Sequence, residues 1–301
     1  MKTLAAWIMR GPTQAAALAA SALLVGLVLP PFVWLSAAII ALVVLCAGTA
    51  GAVRAVVPAL LVAVGGGWLA TGSPQTMALV ALASWLPVLL VAGTLRATIR
   101  LDLALLAAVG LGWSIVLGIH AVVADAGAMW QELLTGVMSP AQMAEDLDVD
   151  AERMRELVEQ VAPLMTGFVA TSTVVSSITA TFLARWWQAG LYNPGGFREE
   201  FHGLRLGQTA AMVTAGIMAL AAFTESALIF SLALVACSVY VIQGIAVIHG
   251  VVSARQMHWG WLGGMYVLTV VLFLQMALAL IVVGIIDAWA DLRRRGAGPA
   301  N

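Results

Sequence analysis

The sequence predicts an all-α fold: a polytopic transmembrane helix bundle of eight or nine spans with a short extracytoplasmic helical segment. Three observations carry this. Residues are 62% hydrophobic and only 10% charged, with a mean hydropathy of +1.01, whereas a soluble domain is about a quarter charged. The apolar runs reach the roughly 20 residues that cross a hydrocarbon core at about 1.5 Å per residue. Backbone amides in lipid are satisfied only within helices or closed barrels, and the alternating pattern of barrel strands is missing.

Apolar runs fall near 13–29, 33–52, 55–71, 76–95, 101–124, 161–184, 208–223, 227–250 and 261–286, within a single membrane domain over 1–301. Turn or charge signals separate them: Pro30-Pro31, Arg54, the Thr71-Gly72-Ser73-Pro74 turn, Arg96 with Arg100, Thr224-Glu225 and Arg255. Gly65-Gly66-Gly67 reads as close helix packing or a bend in a short span. The basic head and apolar run of residues 1–29 are expected to form a retained first span, because no A-x-A-like site follows.

Lys and Arg in short loops stay cytoplasmic. A cytoplasmic N-terminus places Lys2, Arg10, Arg54, Arg96, Arg100, Arg185, Arg198, Arg205 and Arg255 inside. Nine spans would then leave Arg293, Arg294 and Arg295 outside, so one run is expected to be re-entrant or merged, with 55–71 and 208–223 as the candidates. Tryptophans 7, 34, 68, 186, 187, 259, 261 and 289 sit near span ends as an aromatic belt. The expected location is a bacterial cytoplasmic (inner) membrane.

Residues 125–160 form an acidic extracytoplasmic helical insertion, in which Ser139-Pro140-Ala141-Gln142 is a capping-box pattern. Met154, Leu157, Val158 and Val161 make a helical stripe there. Asp146, Asp148 and Asp150 lack the glycine and final Glu of a calcium loop, so a helix-junction acid cluster is the better account.

Residues 185–207 read as a cytoplasmic interfacial elbow. Arg185, Trp186 and Trp187 suit a headgroup-level helix end, Asn193-Pro194-Gly195-Gly196 stops the helix, and Phe197, Phe201 and Leu204 line a face beside Arg198, His202 and Arg205. The elbow either orients two spans or docks a membrane or cytoplasmic protein.

Hydroxyls crowd the run 161–184, where Ser172, Ser176 and Thr179 share one helix face and Thr173, Ser177 and Thr181 another. Such faces bond their own carbonyls, pack helices closely or line a polar cavity. With Tyr240, Gln243 and Gln275 they are the candidate ligand-binding residues. His120 stands alone, and no dense row of ionisable groups marks a proton path. Cys46 and Cys237 lie in apolar runs without metal-ligand spacing. Motifs of soluble enzymes are missing, so a non-enzyme without metal or cofactor is expected. The net charge of -1 gives nucleic acid no basic surface.

Gln243-Gly244-Ile245-Ala246-Val247-Ile248-His249 and the C-terminal stretch from Gly284 through Asp287, Trp289 and Arg293 resemble the YybS-like family of bacterial multi-span membrane proteins of unassigned function. The Trp-Trp-Gln to Asn-Pro-Gly-Gly-Phe-Arg-Glu-Glu-Phe-His elbow is similar to its proteobacterial branch. This resemblance implies a core like the S components of energy-coupling-factor transporters, with extra C-terminal spans. No function transfers with that resemblance; the residues themselves leave two expectations, a subunit that binds or transports a small molecule, or a non-transporting scaffold in an envelope or division complex. The lipid bilayer is the partner common to both.

Overall fold

The computed structural model of the chain describes residues 2–137, 145 and 150–293, which form helices joined by short turns, with no strand among the described residues. In chain order these are α1 (Lys2–Ile8), α2 (Pro12–Val25), α3 (Pro31–Thr71), α4 (Pro74–Thr98), α5 (Leu101–Val122), α6 (Ala126–Val137) and α7 (Ala151–Val161). A 3-10 turn, Ala162–Leu164, leads into α8 (Met165–Tyr192). Then follow α9 (Gly196–His202), α10 (Gln208–Phe223), α11 (Ala227–Ala254), α12 (Gly260–Val271) and α13 (Phe273–Ala290). Proline opens α2, α3 and α4, where its missing N–H costs no helix bond. Six stretches among the described residues are long and apolar enough to cross a membrane: Pro31–Ala70, Pro74–Thr98, Leu101–Val122, Ala151–Tyr192, Ala227–Ala254 and Phe273–Ala290. The capping-box pattern at 139–142 and the acids Asp146 and Asp148 lie outside the described residues.

The longest element folds back on itself. A straight α3 would hold Val33 and Gly66 about 50 Å apart, yet Val33 packs on Gly26 and Gly66 packs on Leu24, both at the C-terminal end of α2. The reversal is at Gly48, with φ 75 and ψ -174. That region of backbone space is open essentially to glycine alone. The sequence pattern puts this break at Arg54, but the helix runs through that exposed residue and turns six positions earlier. Charge marks a surface; it does not bend a backbone. Gly51 completes the turn, since a Cβ there would overlap that of Ala47.

Neighbouring helices lock around the returning arm. Gly66 and Gly67 let Leu24 and Met77 approach closely, as the glycine run leads one to expect. Ser36 donates to the Ala19 carbonyl (2.7 Å) and accepts from the Trp85 indole (3.0 Å), tying α3 to α2 and α4 inside the core. Gly112 of α5 fits between Val174 of α8 and Val235 of α11, and the Trp113 indole donates to the Leu232 carbonyl at 3.0 Å.

The two ends of the bundle differ in charge. At one end α6 is pinned to α8 by a hydrogen bond from Trp130 to Thr166 (2.8 Å), and Asp150 caps α7 through the Glu152 N–H (2.8 Å). Of the stripe on α7, Met154 and Val158 are buried while Leu157 and Val161 stay exposed. Arg185 lies nineteen residues further along α8 than Thr166, a rise of about 29 Å, close to the thickness of a hydrocarbon core. Around Arg185 gather Lys2, Arg96, Arg198, Arg205, Arg255 and Arg293.

The C-terminal run 261–286 is two helices, not one. Leu272 (φ -120, ψ 52) separates α12 from α13. The start of α12 at Gly260 and the residue Leu292 beyond α13 both return to the end of α11 near Arg255. This hairpin brings Arg293 to the basic end without merging 55–71 or 208–223. Of the eight belt tryptophans, seven are exposed and Trp187 is buried.

Replacing Gly48 by Leu is expected to cost about 1–3 kcal/mol. A lowered melting temperature of the detergent-solubilised protein, with helical circular dichroism retained at low temperature, is the measurement that checks it.

Candidate functional site

Reversal at Gly48 leaves the last carbonyls of the first arm of α3 in need of donors. Two side chains supply them at Leu45: Arg96 Nη1 from the last turn of α4, and Gln188 Nε2 from α8 at 3.1 Å. The Arg96 guanidinium lies so close over Gly48 that a Cβ there would sit 3.3 Å from its Nε. Arg185, one turn before Gln188, donates Nε to Glu200 Oε2 at 3.0 Å, makes a second bond from Nη2 to Oε1, and reaches Gln188 Oε1 at 3.2 Å.

These groups surround a chamber of about 650 Å³ between the α3 turn, α4, α8 and α9, with Cys46, Tyr192 and Asn193 in its wall. Glu200 neutralises Arg185. Arg96 has no carboxylate partner among the described residues, so the chamber keeps one positive charge beside a row of fixed donors. Such a chamber favours an anion small enough to enter it.

A second polar node lies deeper. Asp287 is fully buried and accepts from Arg293 Nη2 at 2.5 Å and from the Leu292 N–H at 3.0 Å, with Arg205 Nε at 3.5 Å. Arg293 also donates to the carbonyls of His202 (2.6 Å) and Leu204 (2.8 Å), while Arg205 pairs with Asp291 at 2.7 Å. Gln243 accepts from the Leu206 N–H at 2.9 Å and donates to the Gly284 carbonyl at 2.7 Å. Gly244 and Gly284 permit this, because a Cβ on either would strike the backbone of the facing helix. The node is a clasp that binds the 203–207 connection to α11 and α13. Its acceptors are occupied by the chain itself, leaving no room for a ligand.

The candidate residues therefore separate. Ser172 and Ser176 face a crevice of about 260 Å³ between α3, α4 and α8, shared with Thr173 and Ser177. Thr179 and Gln275 are exposed and do not line that crevice. Tyr240 is buried beside Thr214, and Gln243 belongs to the clasp. These six do not line one cavity. Thr173, Ser177 and Thr181 bond the carbonyls of their own helix, as His120 does with Val116 (2.9 Å).

The elbow residues divide as well. Arg185 and Asn193 line the chamber, Arg205 joins Asp287 and Arg293 in the clasp, and Trp186 and Trp187 sit with Lys2 over a cavity of about 380 Å³. Arg198 and His202 border a groove of about 530 Å³. Phe197 and Phe201 meet Phe182 in tilted and edge-to-face contacts, with centroids 5.5 and 5.7 Å away, which anchors α9 to α8. Burial foremost, then the nearby Arg198, His249 and Arg293, holds the His202 imidazole below its ordinary 6.5 and favours the neutral ring. Trp289 is half exposed beside the clasp. Among the described residues no group of three or more His, Cys, Asp or Glu could hold a metal ion.

Sequence reasoning passed over Arg96, Gln188 and Glu200 as site residues. Their signal is weak, because the pattern gives no reason for these polar residues to meet, and only the turn at Gly48 and the packing of α9 on α8 bring them together. No family model, curated protein or solved structure matches the chain.

Asp287→Ala is expected to destabilise the protein by about 3–5 kcal/mol, because it strands a buried guanidinium. Equilibrium unfolding in detergent would show it, alongside loss of protection of the 203–207 amides from hydrogen exchange.

Proposed function

We propose that this chain is a multi-pass inner-membrane protein that binds a small anionic molecule at its cytoplasmic face, as a transport-related subunit. The chamber beneath Gly48, with Arg96 unneutralised and Arg185 and Gln188 converging on it, is the observation that carries this reading. Its 650 Å³ suits a metabolite. The clasp and the close-packed α2–α3–α4 core supply a rigid frame, so ligand contacts require little rearrangement. The resemblance to the YybS-like family is compatible with this role and names no ligand.

Orientation follows from charge. The basic end faces the cytoplasm by the positive-inside rule, and the acidic helices α6 and α7 face outward. Each arm of α3 makes one pass. The short helices α10 and α12 pair with α11 and α13, which leaves both chain ends inside. A reporter active only in the cytoplasm is expected to report when fused at the C-terminal end and to stay silent when inserted near residue 137. The opposite pattern would reverse the assignment.

Purification in mild detergent followed by mass spectrometry of released small molecules tests the ligand. Wild-type protein is expected to carry an anionic metabolite. Arg96→Gln should reduce its retention about ten- to a hundredfold, since a hydrogen bond to a charged group contributes about 1.5–3 kcal/mol. Arg96→Lys should retain more, and Asn193→Trp, which fills the chamber, less. If the wild type yields protein partners and no small molecule, the scaffold reading replaces this one.

A further inference from the structure

Helix α12 stands away from the bundle. Its closest polar link to α11 is a 3.4 Å approach of the Tyr266 hydroxyl to His249 Nε2. Between α11, α12 and α13 the gap is a cavity of about 880 Å³, walled by Val247, Val251, Met265, Leu268, Met276 and Val283. Elsewhere the bundle closes such space with glycine contacts. Here Gly260 and Gly264 widen it instead.

The rim of the cavity differs from its depth. Arg255 and His258 stand at the mouth, and among the described residues no acidic side chain lines the cavity. Arg255 is exposed and has no carboxylate partner among the described residues. His258 Nδ1 accepts the Gly260 N–H at 3.0 Å, which leaves Nε2 to carry the proton of the neutral ring as a donor. Trp259 and Trp261 are 74% and 64% exposed on the same turn. Exposed tryptophans of this kind lie at headgroup level.

Depth completes the match. From Leu292 at the rim to Met276 inside is sixteen residues of chain, mostly α13, or about 24 Å. One leaflet together with its headgroup region is about half of 40–45 Å. The cavity thus runs from headgroup level through a full leaflet, apolar within and cationic only at its mouth.

We infer that the α11–α12–α13 cavity is a binding site for a phospholipid with an anionic headgroup, its acyl chain held between the methionines and its phosphate at Arg255 and His258. This site is separate from the chamber at Arg96, so the failure of either leaves the other standing. Methionine suits a chain of variable length, because its unbranched, polarisable side chain adapts to irregular space.

Native mass spectrometry of the full chain in detergent, with phosphatidylglycerol or phosphatidylcholine of identical acyl chains added, tests the inference. Wild-type protein should retain one phosphatidylglycerol at least tenfold more strongly than phosphatidylcholine. Arg255→Ala should bring the two near parity, and Arg255→Lys should keep most of the preference. Gly264→Trp, which fills the cavity, should lower retention of both, with helical circular dichroism as the folding control. Equal retention of the two lipids by wild type, or an undiminished preference in Arg255→Ala, overturns the site. So does retention of an isoprenyl phosphate but not of phosphatidylglycerol.

Discussion

A carbonyl in an apolar medium must find a donor, and in this chain the carbonyl of Leu45 finds two from other helices. Without Arg96 and Gln188 the reversal at Gly48 would leave the Leu45 carbonyl without a donor, and an unsatisfied buried acceptor costs about 1–3 kcal/mol. With them, α3 returns along α2, and α4 and α8 are drawn to the same turn. The chamber is the space left around that arrangement. Its charge is therefore a by-product of a folding requirement, which explains why the groups that could hold a ligand also hold the backbone.

The clasp at Asp287 applies the same constraint at the other side of the basic end. The connection at 203–207 is not helical, so its carbonyls and N–H groups need partners, and Arg293 and Gln243 provide them. A fully buried carboxylate is tolerated there because two arginines and a backbone N–H meet it. Glycines 244 and 284 bring α11 and α13 into backbone contact and make the reach of Gln243 possible. Against this rigid pair, α12 packs loosely, and the apolar space beside it opens at a turn where Arg255 meets Trp259 and Trp261.

Much of this was legible in the residues. Pro31 and Pro74 marked breaks between apolar runs, Gly66 and Gly67 marked close packing or a bend, and the Asn-Pro-Gly-Gly stop fell between α8 and α9 as expected. The break at Gly48 was not legible, because Arg54 gives a stronger local signal and one glycine among many carries no mark of its conformation. Leu272 hid the last hairpin for a related reason: an apolar residue at a turn interrupts no hydropathy pattern. Ser172 and Ser176 have the chemistry of a binding face and share one crevice, but Gln243, on another helix, is held in the clasp.

By itself the sequence determined the solvent: its hydropathy and helix-length runs require helices that satisfy their own amides in lipid. Those properties are sums over local residues, so they survive without knowledge of neighbours. Only the tertiary structure decided where α3 turns, that the last run is two helices, and which polar residues meet. Each of those depends on pairs far apart in the chain, Arg96 with Leu45 or Asp287 with Arg205, and a one-dimensional pattern carries no distance between them.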